Sequence, residues 1–383
     1  MAKRNPNGAG SITRRKDGRY MGAAYVTNTR GERVRKYVYG KTYDEAAEAL
    51  AALQQQERKG VPVPDKAWKL GDFLDHWLAE IVKPNVRPTT YSKYETMVRL
   101  YLVPGLGTKR LNKLGSADVR TFLNDSLSAG VGRSTVAECL KVLRNALNRA
   151  MREELLLRNV AALVDMPKVT KKESIPWSAD EAVVFLKRAR SHRLYAAFVL
   201  ALVLGLRRGE LLGLRWVDVD LPGGVAHPRK QVQRETGVGL VLVDLKTETS
   251  KSALPLPRLC VEALGERRRL QELEREMKGT AWQETGLVFT SAAGGPVDPD
   301  GFSGTFERLV KRAGVRRVRL HDTRHTCGTL LAALDVHPRY AKEILRHSQI
   351  AVTLDIYTHV TSASQRAAAA RLGTKLRDGL HGR

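Results

Sequence analysis

The pattern of hydrophobic and polar positions divides the chain into three segments. In the first segment, residues 19–28 and 33–40 are rich in β-branched and aromatic side chains, and an Asn-Thr-Arg-Gly sequence separates them as a turn. A helical pattern rich in alanine and leucine follows from Tyr43. We therefore expect a small sheet of three strands with one helix over residues 1–60.

The second segment, residues 68–167, has the apolar spacing of amphipathic helices. The spacing predicts four helices, near residues 70–82, 89–101, 116–129 and 134–154. Prolines between these helices are expected to mark their ends. Because proline-containing stretches at 60–67 and 166–176 flank the segment, we interpret it as a helical domain between two linkers.

The third segment, residues 175–383, combines helices with a small sheet. The sequence S-A-D-E at 178–181 has the form of a capping box at a helix start, and residues 225–258 alternate as antiparallel strands do. The longest apolar run, residues 194–206, is shorter than the ~20 residues that cross a bilayer, so it predicts a buried core helix. The expected fold class is multidomain and mainly α with small β-sheets, the last domain being mixed α+β.

The charge balance indicates a nucleic acid partner. The chain has 383 residues, with 65 Lys and Arg against 40 Asp and Glu, and its net charge is +25. The excess is spread over all three segments, so each of them can contact phosphate. An apolar content of 43% argues against a mostly disordered chain, and three separated cysteines make no disulfide scaffold. With no secretory signal visible, we expect a cytoplasmic protein that binds no membrane.

Basic residues are densest in the N-terminal sheet, since residues 1–41 hold 11 basic and 2 acidic residues. This density predicts that the sheet contacts DNA phosphates. The candidate DNA-binding residues are Arg14, Arg15, Lys16, Arg19, Arg33, Arg35 and Lys36.

Two arginine-containing stretches carry side chains suited to phosphate chemistry. In G-L-R-R-G-E-L, Arg207 follows the apolar run and Glu210 lies three residues further on. Arg207 can clamp phosphate oxygens while Glu210 orients it, or the two can form an ordinary surface ion pair. In H-D-T-R-H-T, His321 and Arg324 share a helix face, which suits proton transfer and oxyanion stabilisation.

The histidines of the second stretch also allow two other interpretations. They can pack or cap the core, with His325 pointing away from Arg324. They can also bind a metal together with Cys327, although the chain lacks an H-E-x-x-H or C-x-x-C pattern there.

Two more stretches hold lysine, histidine and tyrosine. Lys246 and Lys251 lie on an expected hairpin, where a lysine can protonate a leaving oxygen or simply be solvated. Further on, His347 precedes Tyr357, whose phenol is a candidate nucleophile where nearby cations favour the phenolate. Tyr340 is its rival, but its spacing to apolar neighbours predicts packing.

Taken in order, the four stretches resemble the motifs of the tyrosine recombinase, or phage integrase, family. The matching patterns are G-L-R-x-G-E-L, K-T-x-x-S-K-x-x-L-P-L, H-D-x-R-H-T and R-H-S…T-L-x-x-Y-x-H-V. The resemblance implies an arm-type DNA-binding domain over residues 1–60 and a helical, SAM-like core-binding domain over 68–167. It implies a catalytic domain with a C-terminal tail over 175–383.

The resemblance assigns phosphate binding to four side chains of this sequence. Arg207 and Arg324 form the clamp, Glu210 supports it, and His347 is the second phosphate-binding histidine. One position departs from the family, because Arg346 stands where the family usually has glycine. This replacement is expected to shift the backbone at the end of a helix.

The resemblance assigns proton transfer and attack to three further side chains. His321 is the general acid/base, and Lys246 is the general acid on the hairpin. Tyr357, ten residues after His347, is the nucleophile, which settles its rivalry with Tyr340. We expect its phenol to meet two guanidinium groups and two imidazoles, an environment that favours the phenolate.

The implied function is site-specific DNA recombination through a 3′-phosphotyrosyl link, which integrates and excises a phage or mobile element. The family works as a homotetramer on double-stranded attachment sites, with a host DNA-bending protein and an excision factor as accessory partners. Residues 361–383 would then dock on a neighbouring subunit, or they form a simple closing helix. No cofactor and no metal are expected, because the phosphotyrosyl link conserves bond energy and arginines stabilise the charge. The alternatives are a type IB topoisomerase and a DNA-binding regulator without catalysis.

Overall fold

A computed structural model describes most of the chain, which divides into two compact units, Met1–Thr170 and Lys171–Arg383. The described residues are 10–28, 32–58, 60, 68–166, 175–245 and 251–358. Several predicted features lie outside them, namely the turn at 29–31, most of both linkers, Lys246 and the tail 361–383.

The first unit begins with an antiparallel sheet in the order β1-β2-β3, followed by helix α1. Their bounds are Ser11–Arg14, Tyr20–Thr27, Arg33–Gly40 and Tyr43–Arg58. One sheet face packs on α1, where Ala46 and Leu50 are buried. Gly40 is required at the junction, because a Cβ there would lie 2.5 Å from the Ala46 nitrogen. The expected three-stranded sheet with one helix is confirmed.

The rest of the first unit is helical. Its α-helices α2 to α7 span Leu70–His76, Lys83–Asn85, Pro88–Met97, Val103–Leu106, Ser116–Ser128 and Arg133–Arg152. Trp77 stacks on Tyr94 with ring centroids 5.7 Å apart, and α7 buries an apolar stripe that includes Leu140, Leu143 and Leu147. The amphipathic spacing thus produces the expected helical core.

Pro88 marks the start of α4 as expected, but Pro84 and Pro104 do not end the helices. Helix α2 continues through a π-helical turn, Trp77–Val82, into α3, and α4 continues through another, Val98–Leu102, into α5. Pro84 and Pro104 sit in the first turn after each widened segment. Because proline has no N–H, a locally wider turn lets the chain pass it without losing helical direction.

The second unit holds eight helices among its described residues. Helices α8 to α15 span Ala179–Ala189, Tyr195–Val203, Arg208–Leu212, Arg258–Lys278, Pro299–Ala313, Asp322–Ala333, Pro338–Leu345 and Ile350–Thr358. The expected capping box starts α8, with Ser178 Oγ accepting from the Glu181 N–H at 3.2 Å.

The strands of the second unit form two small antiparallel arrangements. β4 (Val219–Asp220), β5 (Val225–Ala226) and β8 (Leu254–Pro255) form a short sheet, and β6 (Lys230–Glu235) and β7 (Gly239–Asp244) form a hairpin. The small antiparallel sheet expected between residues 225 and 258 is therefore present.

The apolar run forms α9, which lies inside the core of the second unit. Phe198 stacks on Phe302 with centroids 5.2 Å apart and contacts Phe185 and Phe306. Within the described ranges, no helix is long and apolar enough to cross a membrane. The position of α9 fixes the segment that follows it, which carries the first candidate arginine.

Candidate active site

The end of α9 delivers Arg207 to the start of α10. Gly205 turns the chain there with a φ of +59°, and a Cβ on it would lie 2.6 Å from a methyl group of Leu345, so only glycine fits. Arg207 Nη1 then donates to Glu210 Oε1 at 2.8 Å. Since the Glu210 side chain is only 3% exposed, this pair is not the surface ion pair of the alternative interpretation.

Arg324 is held inside the protein by three acceptors. Its Nη1 donates to the Gly205 carbonyl at 2.6 Å, its Nη2 to the Leu345 carbonyl, and its Nε to His347 Nε2 at 3.3 Å. Burial, followed by the charge of Arg207, lowers the pKa of Arg324 to about 9, so it remains charged at neutral pH. A guanidinium has five N–H groups, so two remain to bind an anion beyond these described contacts.

His347 serves to orient Arg324. Burial and then the charge of Arg324 lower its pKa to about 4, so the ring is neutral near pH 7. Because Nε2 accepts from Arg324, Nδ1 carries the proton and donates to Thr353 Oγ1 at 2.9 Å. Sequence reasoning gave Thr353 no role, although it is the threonine of the T-L-x-x-Y pattern.

Arg346 follows the last residue of α14. It adopts a φ of +53°, the left-handed conformation that a glycine would favour at the same place. Its guanidinium is buried and donates to Glu210 Oε2. The burial of the Arg346 side chain is not predicted by the sequence.

The two histidines near Arg324 contact each other. The His321 and His325 rings meet edge to face with centroids 6.1 Å apart, and both residues are exposed. Partial burial, and then the charges of His325 and Arg324, lower the pKa of His321. A neutral His321 is suited to accept a proton.

The metal interpretation finds no support in the described part of the chain. Cys327 is 2% exposed, and its thiol contacts the Val203 carbonyl at 3.3 Å instead of facing the histidines. No group of three or more His, Cys, Asp or Glu side chains could hold a metal ion within the described residues.

Tyr357 does not meet the guanidinium groups in this structure, contrary to expectation. Its phenol donates to the backbone carbonyl of Val336 at 2.7 Å, in the loop between α13 and α14. Burial raises the pKa of Tyr357, which is opposite to the effect of neighbouring cations. The expected packing of Tyr340 is also wrong, since that side chain is 62% exposed and its ring contacts only His337 among the described rings.

The basic residues of the N-terminal sheet are separated by strand alternation. Three arginines, each over an exposed tyrosine ring, form what we call the tyrosine–arginine face: Arg15 over Tyr39, Arg33 over Tyr25, and Arg35 over Tyr25 and Tyr37. Sequence reasoning missed the three tyrosines, although the two-residue period of R-V-R-K-Y-V-Y could have indicated two of them, Tyr37 and Tyr39.

Four other basic candidates do not lie over the tyrosines of that face. Lys36 has the strand parity of Val38, which contacts the α1 side of the sheet. Arg14 lies over Tyr20, Lys16 is in the exposed turn, and Arg19 pairs with Asp17 at 2.8 Å. The sheet therefore does not bring all seven candidates together.

Comparison with known proteins gives a consistent likeness over most of the chain. Residues 178–364 match the model of the phage integrase family, and residues 69–127 match that of the phage integrase N-terminal SAM-like domain. A protein of Caldanaerobacter subterraneus named tyrosine recombinase XerC-like is 30% identical, over 86% of this chain and 89% of its own length.

Solved structures share the fold. A Tn1549 transposon integrase in complex with transposon right end DNA is similar with a TM-score of 0.69 and 23% identity, covering 80% of this chain and 99% of that one. A lambda integrase tetramer bound to a Holliday junction is similar with a TM-score of 0.56 and 17% identity, covering 92% and 96%. The expected fold class is confirmed by these likenesses.

Proposed function

Because this chain belongs to the phage integrase family of tyrosine recombinases, we propose that it is a site-specific DNA recombinase that integrates and excises a phage or mobile element. The observation that carries the proposal is the cluster around Arg324. The support is that Arg324 donates to His347 and to the Gly205 carbonyl, and that the charge of Arg207 acts on both Arg324 and His347. Guanidinium groups fixed by buried acceptors are preorganised to stabilise a phosphorane-like state.

In the proposed reaction, the Tyr357 oxygen attacks a DNA phosphorus and the bond to the 5′ oxygen breaks. His321 accepts the phenol proton, and Lys246, outside the described residues, protonates the departing 5′ oxygen, which leaves as a hydroxyl. Arg207 and Arg324 bind the two non-bridging oxygens. The resulting 3′-phosphotyrosyl link is as energy-rich as the bond it replaces, so a second strand can be joined without a cofactor.

Binding is proposed to involve both units. The tyrosine–arginine face takes arm-type DNA, residues 68–167 take core-type DNA, and four subunits assemble on two duplexes. The support is the basic face and the likeness to a lambda integrase tetramer on a Holliday junction. A host DNA-bending protein and an excision factor are the proposed accessory partners, and residues 361–383 are the proposed contact to a neighbouring subunit.

A nicked suicide DNA substrate tests the chemistry. The fragment beyond the nick diffuses away after cleavage, so the covalent adduct accumulates. We expect an adduct on the peptide that contains Tyr357, attached to the 3′ phosphate, that forms in the presence of a chelator. It should vanish in Tyr357→Phe and persist in the matched variant Tyr340→Phe.

Three results would contradict the proposal. These are a 5′ linkage, a metal requirement, or an adduct that survives Tyr357→Phe. Relaxation of supercoiled DNA without any recombinant product would instead favour a type IB topoisomerase.

A further inference from the structure

Arg346 occupies a backbone position that favours glycine. It follows α14 with φ +53° and ψ +47°. Its N–H donates to the Glu343 carbonyl at 3.1 Å, and the His347 N–H donates to the Lys342 carbonyl at 3.1 Å. These two bonds form a Schellman motif, in which the left-handed residue is most often glycine. An arginine in this conformation is strained.

The side chain of Arg346 is enclosed beside the proposed phosphate clamp. It is 0% exposed, and its Nη2 donates to Glu210 Oε2. The other carboxylate oxygen, Glu210 Oε1, accepts from Arg207 Nη1 at 2.8 Å. The buried carboxylate of Glu210 therefore links Arg346, at the end of α14, to Arg207, whose side chain is 41% exposed.

Because Arg207 and Arg346 share Glu210, the net charge around Arg207 and Arg324 is different from that of a site without Arg346. Arg207, Arg324 and Arg346 supply three positive charges, and Glu210 supplies one negative charge. With glycine at position 346, the same carboxylate would offset half of the charge of Arg207 and Arg324. A buried site is where one added charge has the largest effect on a bound anion.

We propose that Arg346 is a positioning residue that neutralises Glu210, so that Arg207 and Arg324 present their full charge to the scissile phosphate. The inference rests on the proposed function for the identity of the anion. Arg346 acts through Glu210 and touches no substrate. Its role is to let Glu210 orient Arg207 without weakening the attraction for phosphate.

Removal of the Arg346 side chain tests the inference without straining the backbone. Arg346→Gly suits the left-handed conformation, and it should slow single-turnover cleavage of the suicide substrate about tenfold, with affinity for the DNA almost unchanged. Arg346→Lys keeps the charge but loses the planar fork, so its rate should lie between those of the wild type and Arg346→Gly.

Charge restoration separates this role from a purely structural one. Glu210→Gln keeps an oxygen that accepts from Arg207 but removes the negative charge. In the Arg346→Gly background it should therefore raise the cleavage rate several-fold, whereas in the wild-type background it should lower the rate. If Arg346 served only to fill space, the double variant would be slower than either single variant.

A matched control isolates the backbone effect. Glu154, in the other unit, is also a non-glycine residue in the left-handed region, with φ +59°, and it is exposed. Glu154→Gly makes the same backbone change as Arg346→Gly without removing a buried charge. It should cleave at the wild-type rate.

A second readout keeps the inference testable if cleavage itself fails. Inorganic phosphate should stabilise the wild-type protein against heat at lower concentrations than it stabilises Arg346→Gly. Equal phosphate affinity in the two proteins, or a double variant no faster than Arg346→Gly, would overturn the inference. A wild-type protein that binds phosphate but forms no adduct at Tyr357 would overturn the proposed function alone.

Discussion

The arginines of the tyrosine–arginine face and those of the candidate active site are held in opposite ways. On the face, Arg33 and Arg35 are exposed and lie over the rings of exposed tyrosines. In the site, Arg324 and Arg346 are buried and are held by backbone carbonyls, a histidine and a carboxylate. The same residue type thus serves in one region as a surface charge and in the other as a fixed part of a buried network.

The difference in burial predicts how strongly the loss of an arginine affects each region. An exposed guanidinium is screened by water and salt, and it contributes to binding roughly in proportion to the phosphates it contacts. A buried guanidinium acts at close range and in one orientation, and its loss leaves acceptors without donors. We therefore expect gradual effects from changes to the face and abrupt effects from changes to the site.

The largest expected effect comes from Arg324→Lys. Lysine keeps the charge but cannot reach the Gly205 and Leu345 carbonyls and His347 with one planar group. Cleavage of the suicide substrate should fall by about 100-fold or more, while affinity for core-site DNA changes little. Rates are to be measured in single-turnover assays with protein in excess.

Arg267→Lys is the matched control for that experiment. Arg267 is 1% exposed and binds Glu274 and the Val288 carbonyl, so it is another buried arginine of the same unit. This variant should lower the free energy of unfolding but keep the cleavage rate of the folded protein. If both variants lost cleavage equally, burial alone, and not the clamp, would explain the effect of Arg324→Lys.

The sequence predicts the scaffold of the site better than its interior. Thirteen apolar residues in a row predict the buried helix α9, and the motif spacing identifies Arg207, Arg324 and His347. Arg346 could not be interpreted in this way, because its partner Glu210 lies 136 residues away in the chain. Likewise, the hydrogen bond of Tyr357 goes to a backbone carbonyl, and every residue has one.

The next-largest expected effect is a dependence on pH. It should appear in the candidate active site, through His347, and not in the tyrosine–arginine face. His347 has a pKa of about 4 in the folded protein against an ordinary value of 6.5, so between these values the unfolded chain binds more protons. The free energy of unfolding should therefore rise with pH from about 4 to about 6.5, by roughly 3 kcal/mol at most, and then level off. Urea unfolding at a series of pH values measures it.

Two comparisons sharpen the pH test. His347→Gln removes the titrating ring but keeps a carbonyl that can accept from Arg324. The difference in the free energy of unfolding between this variant and the wild type should therefore shrink as the pH falls to 4. Residues 1–60 contain no histidine, so arm-site binding should change little between pH 5.5 and 7.5. An unfolding curve of His347→Gln parallel to that of the wild type would show that His347 does not carry the acid sensitivity.

The smallest expected effects come from single changes on the tyrosine–arginine face. Arg33→Ala or Arg35→Ala should each weaken arm-site binding by about 3–10-fold and reduce the slope of log affinity against log salt by about one, because each removes one phosphate contact. The double variant should show the sum of the two effects, since exposed charges act nearly independently.

Lys36→Ala is the matched control, because strand alternation places Lys36 on the α1 side, and it should leave the salt slope unchanged. Equilibrium binding at several salt concentrations measures the four variants and the wild type. Loss of all binding on one substitution would mean that the face depends on single residues as the buried site does, and the comparison would then fail.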